Sequence, residues 1–164
     1  MTKTQYDKIS RPFRSQKPQK ALLAVNRLLT YTGYALYPLM VIYLFFTDFC
    51  RCVCAVAVPG SGFILLTVVR RMINRPRPYE TLDIAPIIKK DTRGNSFPSR
   101  HVFSMTEIAV TAFLISPVLG GILLFFSVCL AVIRVIGGVH YPTDVAVGFL
   151  AGVVWCMIGY MILL

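Results

Sequence analysis

The chain has 164 residues, of which 56% are hydrophobic, and a formal net charge of +10. A mean hydropathy of +0.68 argues against a soluble single domain. The positive charge does not indicate a nucleic-acid-binding protein, because the basic residues flank apolar runs instead of covering a polar surface. The composition therefore predicts a small integral membrane protein with no nucleic-acid partner.

The N-terminal segment is basic and contains proline. We expect residues 1–27 to form a tail that is flexible or lies on the membrane surface beside anionic lipid, ahead of a transmembrane catalytic domain at residues 28–164. No cleavable signal peptide is expected, because the first apolar run follows some twenty polar residues and is too long for one.

Long apolar runs follow this tail. A bilayer core needs about 20 apolar residues per helix. A shorter run, Val102–Ser116, is interrupted only by Glu107. Four runs without charge approach the required length: Leu28–Thr47, Cys52–Val69, Pro117–Ile133 and Val145–Leu164. The pattern predicts an all-α membrane bundle of about five transmembrane helices.

The basic residues also predict how this bundle is oriented. Sixteen of the seventeen Lys and Arg residues lie in the tail, between Arg70 and Arg100, or at Arg134. With five crossings, these places share one side of the membrane, and only Arg51 lies on the other. The positive-inside rule makes the shared side cytoplasmic.

Three polar clusters interrupt the apolar sequence, and each charge near a membrane helix costs free energy. The first cluster, RRMINRPRP, contains Arg70 and Arg77. Pro76 and Pro78 end the helix there and continue the chain in an extended form. Considered alone, such a basic flank usually only sets topology.

The second cluster, SFPSRH, precedes the third helix. Ser99 or Asn95 can cap that helix, and the free amides of its first turn favour an anion. Ser99 and His101 alone are weak indicators, because serine is a common cap and histidine is common near membrane surfaces.

The third cluster, RVIGGVHYPTD, joins the last two helices. Its Gly-Gly pair permits a tight turn, and Pro142 suits the first turn of a helix. Asp144 lies four residues after His140, so its carboxylate can reach one imidazole nitrogen and leave the other free as a nucleophile or base. An isolated pair of this kind is more often structural.

In a five-helix chain the three clusters lie at helix ends on the same side, so they can form one pocket. Arginine guanidinium groups match phosphate oxygens and stabilise the charge of a reacting phosphoryl group. The predicted ligand is a lipid phosphate. Five cysteines lack metal-site spacing and histidine partners, and no metal site is predicted from them.

The three motifs together resemble the type 2 phosphatidic acid phosphatase family, whose pattern is K-x6-RP, PSGH and SR-x5-H-x3-D. This chain has R-x6-RP from Arg70, PSRH from Pro98, and IR-x5-H-x3-D from Ile133 to Asp144. The order and internal spacing both match. Three spaced motifs in order are far more specific than any one of them.

The resemblance implies a metal-independent phosphatase without a cofactor. His140 would attack phosphorus and form a phosphohistidine, Asp144 would orient His140, and His101 would protonate the leaving oxygen and then activate water. The groups that would bind the phosphoryl oxygens are Arg70, Arg77, Ser99, Arg134 and the backbone amide of Arg100.

This chain departs from the family pattern at three positions. Arg70 replaces lysine and keeps the charge, and Ile133 replaces a serine. Arg100 replaces glycine, which leaves the amide available but puts a bulky cation at the pocket mouth. The family commonly has six transmembrane helices, and this chain is expected to have one fewer.

Other polar residues have more than one interpretation. Glu107 does not share the helix face of His101, and a catalytic role is the minority interpretation. Loop residues Lys89, Lys90 and Arg93 either set topology, contact lipid headgroups or contact the substrate directly. A Gly-x-x-x-Gly at Gly148 predicts a helix contact within the chain or in a homodimer.

The motifs are compatible with more than one lipid substrate. A polyprenyl diphosphate such as undecaprenyl diphosphate, or a glycerophospholipid such as phosphatidylglycerophosphate or phosphatidate, would suit the small chain. The alternatives are a lipid phosphotransferase and a catalytically silent phospholipid-binding scaffold. The intact His101, His140 and Asp144 argue against the scaffold.

Overall fold

Seven α-helices and one short 3-10 helix make up the computed structural model, which describes residues 1–164 and contains no strand. The predicted all-α fold class is therefore confirmed. In chain order the elements are α1 (Lys3–Ser10), the 3-10 turn (Arg11–Phe13), α2 (Gln16–Thr47), α3 (Phe49–Ile73), α4 (Pro78–Thr81), α5 (Arg100–Ala112), α6 (Pro117–Ile136) and α7 (Pro142–Leu163).

Local sequence signals set the ends of these helices. The carboxylate of Asp48 accepts a hydrogen bond from the Arg51 amide at 3.0 Å and caps α3. That helix ends at Asn74, whose φ of 40° lies in the left-handed region that asparagine tolerates. Pro117 and Pro142 occupy the first turns of α6 and α7, where the missing amide proton costs nothing.

Four helices, α2, α3, α6 and α7, are long and apolar enough to cross a membrane. The fifth predicted crossing, 102–116, corresponds to α5, which is a helix of only 13 residues and about 20 Å. It is shorter than predicted because Ser116 and Pro117 begin the next helix. Most of its residues are buried among the longer helices, so α5 forms the centre of the bundle.

Successive long helices run in opposite directions. The C-terminal ends of α3 and α6 and the N-terminal ends of α5 and α7 therefore meet at one end of the bundle. The N-terminal end of α2 lies at the same end, and the turns at residues 48 and 113–116 lie at the opposite one. This arrangement brings together all three polar clusters of the sequence.

Close packing of α7 on α5 uses the Gly-x-x-x-Gly motif. A Cβ atom at Gly148 would lie 2.8 Å from the carbonyl oxygen of Ser99, and one at Gly152 would lie 3.0 Å from that of Phe103. Glycine at both positions lets the two backbones approach each other. The motif thus makes a contact within the chain, and the homodimer stays a prediction.

The N-terminal segment is largely helical, and its position at the membrane surface stays a prediction. The predicted boundary at residue 27 falls inside α2, which is continuous from Gln16. The aromatic ring of Tyr6 in α1 is fully buried, and its hydroxyl donates to the Ala85 carbonyl at 3.4 Å. A Cβ atom at Gly138, whose φ is +77°, would lie 2.7 Å from the Tyr6 hydroxyl. This ring therefore covers the Gly-Gly turn and packs the N-terminal segment against it.

Replacing Tyr6 with alanine is expected to destabilise the fold by about 3 kcal/mol, because the truncation leaves a cavity beneath the turn at Gly138. Thermal unfolding in detergent and amide exchange at residues 137–139 would measure the effect. The control is Tyr6→Phe, which keeps the ring and loses only a long hydrogen bond worth about 1 kcal/mol or less. Equal stability of the alanine variant and the wild type would contradict the packing role.

Candidate active site

Two buried arginines come from the last turns of helices that end at the site. Arg70 lies in α3, and its guanidinium donates hydrogen bonds to the carbonyl oxygens of Pro98 and Asn95. Arg134 lies in α6, is 4% exposed, and its Nε atom has no hydrogen-bond partner. Neither guanidinium forms an ion pair within the chain. Both therefore keep their charge available to an anionic ligand.

Arg77 follows the proline-rich turn and is also buried. Its Nε atom donates to the Gly94 carbonyl and its Nη1 atom to the Val139 carbonyl, both at 3.1 Å. The carboxylate of Glu80 accepts from the Arg77 amide at 2.8 Å and from the Gly94 amide at 2.9 Å. Glu80 thus closes the loop from Arg77 to Gly94 and fixes the guanidinium through the backbone.

The buried His140 and Asp144 meet as the sequence predicts, but not as a simple pair. Asp144 Oδ2 lies 3.6 Å from His140 Nδ1, beyond a good hydrogen bond. The Ser96 hydroxyl lies 2.5 Å from the same Oδ2 and 3.4 Å from Nδ1. Arg75 contacts Asp144 Oδ1 at 2.8 Å, and the Tyr141 amide donates to Oδ2 at 2.9 Å. The carboxylate therefore has four partners around it.

Burial has a direct effect on the chemistry of His140. Loss of water lowers the pKa of its imidazole to about 4, although the nearby Asp144 acts in the opposite direction. The imidazole is therefore neutral at physiological pH. With Nδ1 on the side of Asp144 and Ser96, Nε2 is the nitrogen left for a ligand.

The start of α5 supplies a second group of polar atoms. Ser99 precedes the helix, but its fully buried hydroxyl makes no capping hydrogen bond and has no partner. Its amide donates to the Asp144 carbonyl at 2.8 Å, which ties α5 to α7. The amides of the first turn, including that of Arg100, lack helical acceptors. The Ser99 hydroxyl and the amides of the first turn of α5 could together bind an anion.

Arg100 has a different environment from the other arginines. Its side chain is exposed, and its guanidinium lies 5.6 Å from the centre of the Phe63 ring in α3. The bulky residue that replaces the family glycine thus lies over an aromatic wall of the pocket, as expected of a cation at the mouth.

A cavity of about 610 Å³ extends from these polar groups into the bundle. His101, Ser104, Met105 and Ile108 line it from one face of α5. Its polar end contains Arg70, Arg77, Lys90, Thr92, Arg93, Gly94, Asn95, Arg100, His101 and His140, and its remaining walls are Thr30, Gly33, Tyr34, Phe63, Ser104, Met105, Ile108 and Leu130. A ligand with a charged headgroup could place it at the polar end of the cavity and the first part of an apolar chain along the remaining walls.

An adjoining cavity of about 470 Å³ lies beside the N-terminal part of α2. Arg134 lines this second cavity, and His101 lines both. His101 therefore stands between the two spaces. Glu107 lines neither, since it is buried against Trp155 and Gly62.

The residues that the motifs singled out lie at the same end of the bundle. Arg70, Arg77, Arg100, His101 and His140 line one cavity, and Arg134 lines the adjoining cavity together with His101. Asp144 lies behind His140, and the Ser99 amide donates to the Asp144 carbonyl. Sequence reasoning missed Ser96 and Arg75, the partners of Asp144. Both residues lie inside the quoted clusters. Only their neighbours matched a motif, and no local signal marked these two.

Comparison with known proteins decides the family. The model of the PAP2 superfamily matches residues 48–163, more than two thirds of the chain. The chain belongs to the PAP2 superfamily. The predicted resemblance is confirmed, and the three motifs of this PAP2 protein all lie within the matched region.

Two curated relatives share part of this PAP2 protein. It is 32% identical over 90 residues to "Bacitracin transport permease protein BcrC" of Bacillus licheniformis, covering 55% of this chain and 44% of the relative. It is 38% identical over 93 residues to "Decaprenylphosphoryl-5-phosphoribose phosphatase" of Mycolicibacterium smegmatis, covering 54% and 49%. The aligned region thus spans about half the length of either relative.

Solved structures share the PAP2 fold over nearly the whole chain. LpxE of Aquifex aeolicus gives a TM-score of 0.75 at 24% identity, with 96% of this chain and 93% of that one covered. A transmembrane PAP2-type phosphatidylglycerolphosphate phosphatase from Bacillus subtilis gives 0.66 at 23% identity, with 96% and 91% covered. At these identities the likeness shows the fold.

Proposed function

We propose that this PAP2 protein is a membrane-embedded phosphatase that removes a phosphate group from a lipid without a metal ion. One observation carries the proposal: Arg70 and Arg77, two buried arginines without ion-pair partners, line one cavity with the buried imidazole of His140, and the buried Arg134 lines the adjoining cavity at the same end of the bundle. Such a site is complementary to a phosphoryl group, whose charge it would stabilise in the transition state.

The reaction would proceed in two steps at His140. Nε2 of His140 attacks phosphorus, the bond from phosphorus to the lipid oxygen breaks, and His101, which the negative charge of the bound substrate keeps protonated, gives that oxygen a proton. Water then attacks the phosphohistidine, loses a proton to His101, and releases inorganic phosphate and free His140. Asp144 and Ser96 hold Nδ1 and stabilise the positive charge that forms on the imidazole.

The binding groups would be Arg70, Arg77, Arg134, the Ser99 hydroxyl and the first amides of α5 including that of Arg100. The arginines would supply the charge that Mg²⁺ supplies in other phosphoryl-transfer enzymes. The names of two relatives support a lipid substrate, since decaprenylphosphoryl-5-phosphoribose and phosphatidylglycerolphosphate both join phosphate to a lipid. The apolar walls of the cavity would accept the start of such a chain.

The test is phosphate release by the purified protein in detergent with EDTA present. The substrates are prenyl monophosphates and diphosphates, phosphatidate and phosphatidylglycerophosphate. A His140→Ala variant, purified in parallel, gives the background from contaminating phosphatases. We expect release above this background from at least one lipid. Absence of release from every lipid would favour a silent scaffold, and phosphate transfer to an added lipid alcohol would favour a phosphotransferase.

We also propose that the protein lies in a bacterial cell membrane with this site on the cytoplasmic side, as the charge distribution favours. The free, exposed Cys50 lies at the opposite end of the bundle and provides an internal reference. A membrane-impermeant maleimide added to intact cells is expected to label Cys50 but not Lys89→Cys in a Cys50→Ser background. The reverse pattern would place the site outside.

A further inference from the structure

The cavity carries more positive charge than one phosphoryl group requires. Besides Arg70, Arg77 and Arg100, Lys90 and Arg93 line it, and no Asp or Glu does. A phosphate monoester brings at most two negative charges, which Arg70 and Arg77 already match. The additional cations indicate a ligand with a second anionic group.

Lys90 is the additional cation with the most enclosed position. Arg93 and Arg100 are exposed, and Arg100 stacks on Phe63, whereas Lys90 is half-buried. The Lys90 amine has no hydrogen-bond or ion-pair partner within the chain. Burial, together with the nearby Arg77, lowers the pKa of Lys90 to about 8. An anion beside this amine would give it a hydrogen-bond partner and would offset the unfavourable burial of its charge near Arg77.

The backbone before Lys90 is fixed. Ile87 and Ile88 are buried, and the Ile88 amide donates to the Gly137 carbonyl at 3.1 Å, three residues before His140. The backbone at Lys90 is therefore held in place, and its side chain lines the same cavity as His140. The amine and the imidazole can face neighbouring groups of one ligand.

We propose that Lys90 binds the second phosphate of a lipid diphosphate, the one that stays on the lipid, while the terminal phosphoryl group reacts at His140. This proposal rests on the proposed function. The bond from the terminal phosphorus to the bridging oxygen breaks, and the lipid monophosphate leaves with that oxygen. Lys90 stabilises the charge of this leaving group, and water then converts the phosphohistidine to inorganic phosphate.

The experiment compares farnesyl diphosphate with farnesyl monophosphate, which share one tail. Lys90→Met is expected to lower kcat/KM for the diphosphate about 10- to 100-fold, the range for a lost charge-assisted hydrogen bond. Its kcat/KM for the monophosphate should change less than about 3-fold, which also shows that the variant folds. Lys90→Arg should keep most of the preference. Lys17→Met is the control, because Lys17 is exposed and lines neither cavity, and it should change neither substrate.

Equal losses on both substrates would overturn the proposal by placing Lys90 on the reacting phosphoryl group, and no loss on either would remove it from the substrate. Binding of farnesyl methylenediphosphonate and farnesyl phosphonate, which resist hydrolysis, separates this proposal from the proposed function. If the wild-type protein turned over neither farnesyl substrate, the proposed phosphatase function would be contradicted. The role of Lys90 would still be tested, because Lys90→Met should weaken binding of the diphosphonate more than binding of the monophosphonate. Equal binding of the diphosphonate to wild type and variant would overturn that role.

Discussion

The His140→Ala variant is expected to lose about 10⁴-fold or more in kcat for a lipid phosphate, because it removes the imidazole nitrogen that accepts the phosphoryl group in the proposed mechanism. KM should change much less, since the arginines that bind the phosphate remain. Initial rates of phosphate release from the purified variant and the wild type would measure both parameters.

The matched control is the other histidine of the cavity. His101→Ala should cost about 10²- to 10⁴-fold with a lipid alcohol as leaving group, the usual range for general acid–base catalysis. The loss should shrink with p-nitrophenyl phosphate, whose leaving group needs no proton. Wild type quenched in alkali should carry a phosphate on His140, detectable by mass spectrometry. A His140→Ala variant that keeps more than a few per cent of the wild-type kcat would reject this nucleophile.

The Asp144→Asn variant is expected to lower kcat by about 10³-fold while the protein stays folded. Asparagine has nearly the same shape, but its NH₂ group replaces one of the two oxygens. Either Arg75, which contacts Oδ1, or Ser96 and the Tyr141 amide, which contact Oδ2, would then face a donor where they need an acceptor. It also removes the negative charge that stabilises the imidazolium. Steady-state kinetics and the inhibition constant of inorganic phosphate would separate catalysis from binding.

The partners of Asp144 provide graded controls. Arg75→Gln should cost about 10-fold or less, because the Arg75 side chain is 36% exposed and its ion pair is screened by water. Ser96→Ala removes the hydroxyl that contacts both Asp144 and His140 and should cost more than Arg75→Gln. An Asp144→Asn variant with wild-type kcat would show that the carboxylate only supports the fold of the loop.

Much of the fold follows from features that are local along the chain. Apolar runs, prolines and capping residues each record the environment of a single segment, so they give the four long helices and most of their ends. The parity of the crossings then places the three polar clusters at one end. The lengths of two segments did not follow from local patterns, because α2 is continuous from Gln16 across the predicted boundary at residue 27, and α5 ends before residue 113.

By itself the sequence determined the membrane bundle, the family and the set of motif residues from Arg70 to Asp144, because each depends on residue type and spacing within short stretches. Only the tertiary structure decided which side chains support these residues. Ser96 and Arg75 meet Asp144 across 48 and 69 residues of chain, and Lys90 reaches the cavity of His140. Such contacts depend on how the helix ends pack against one another, which no local pattern records.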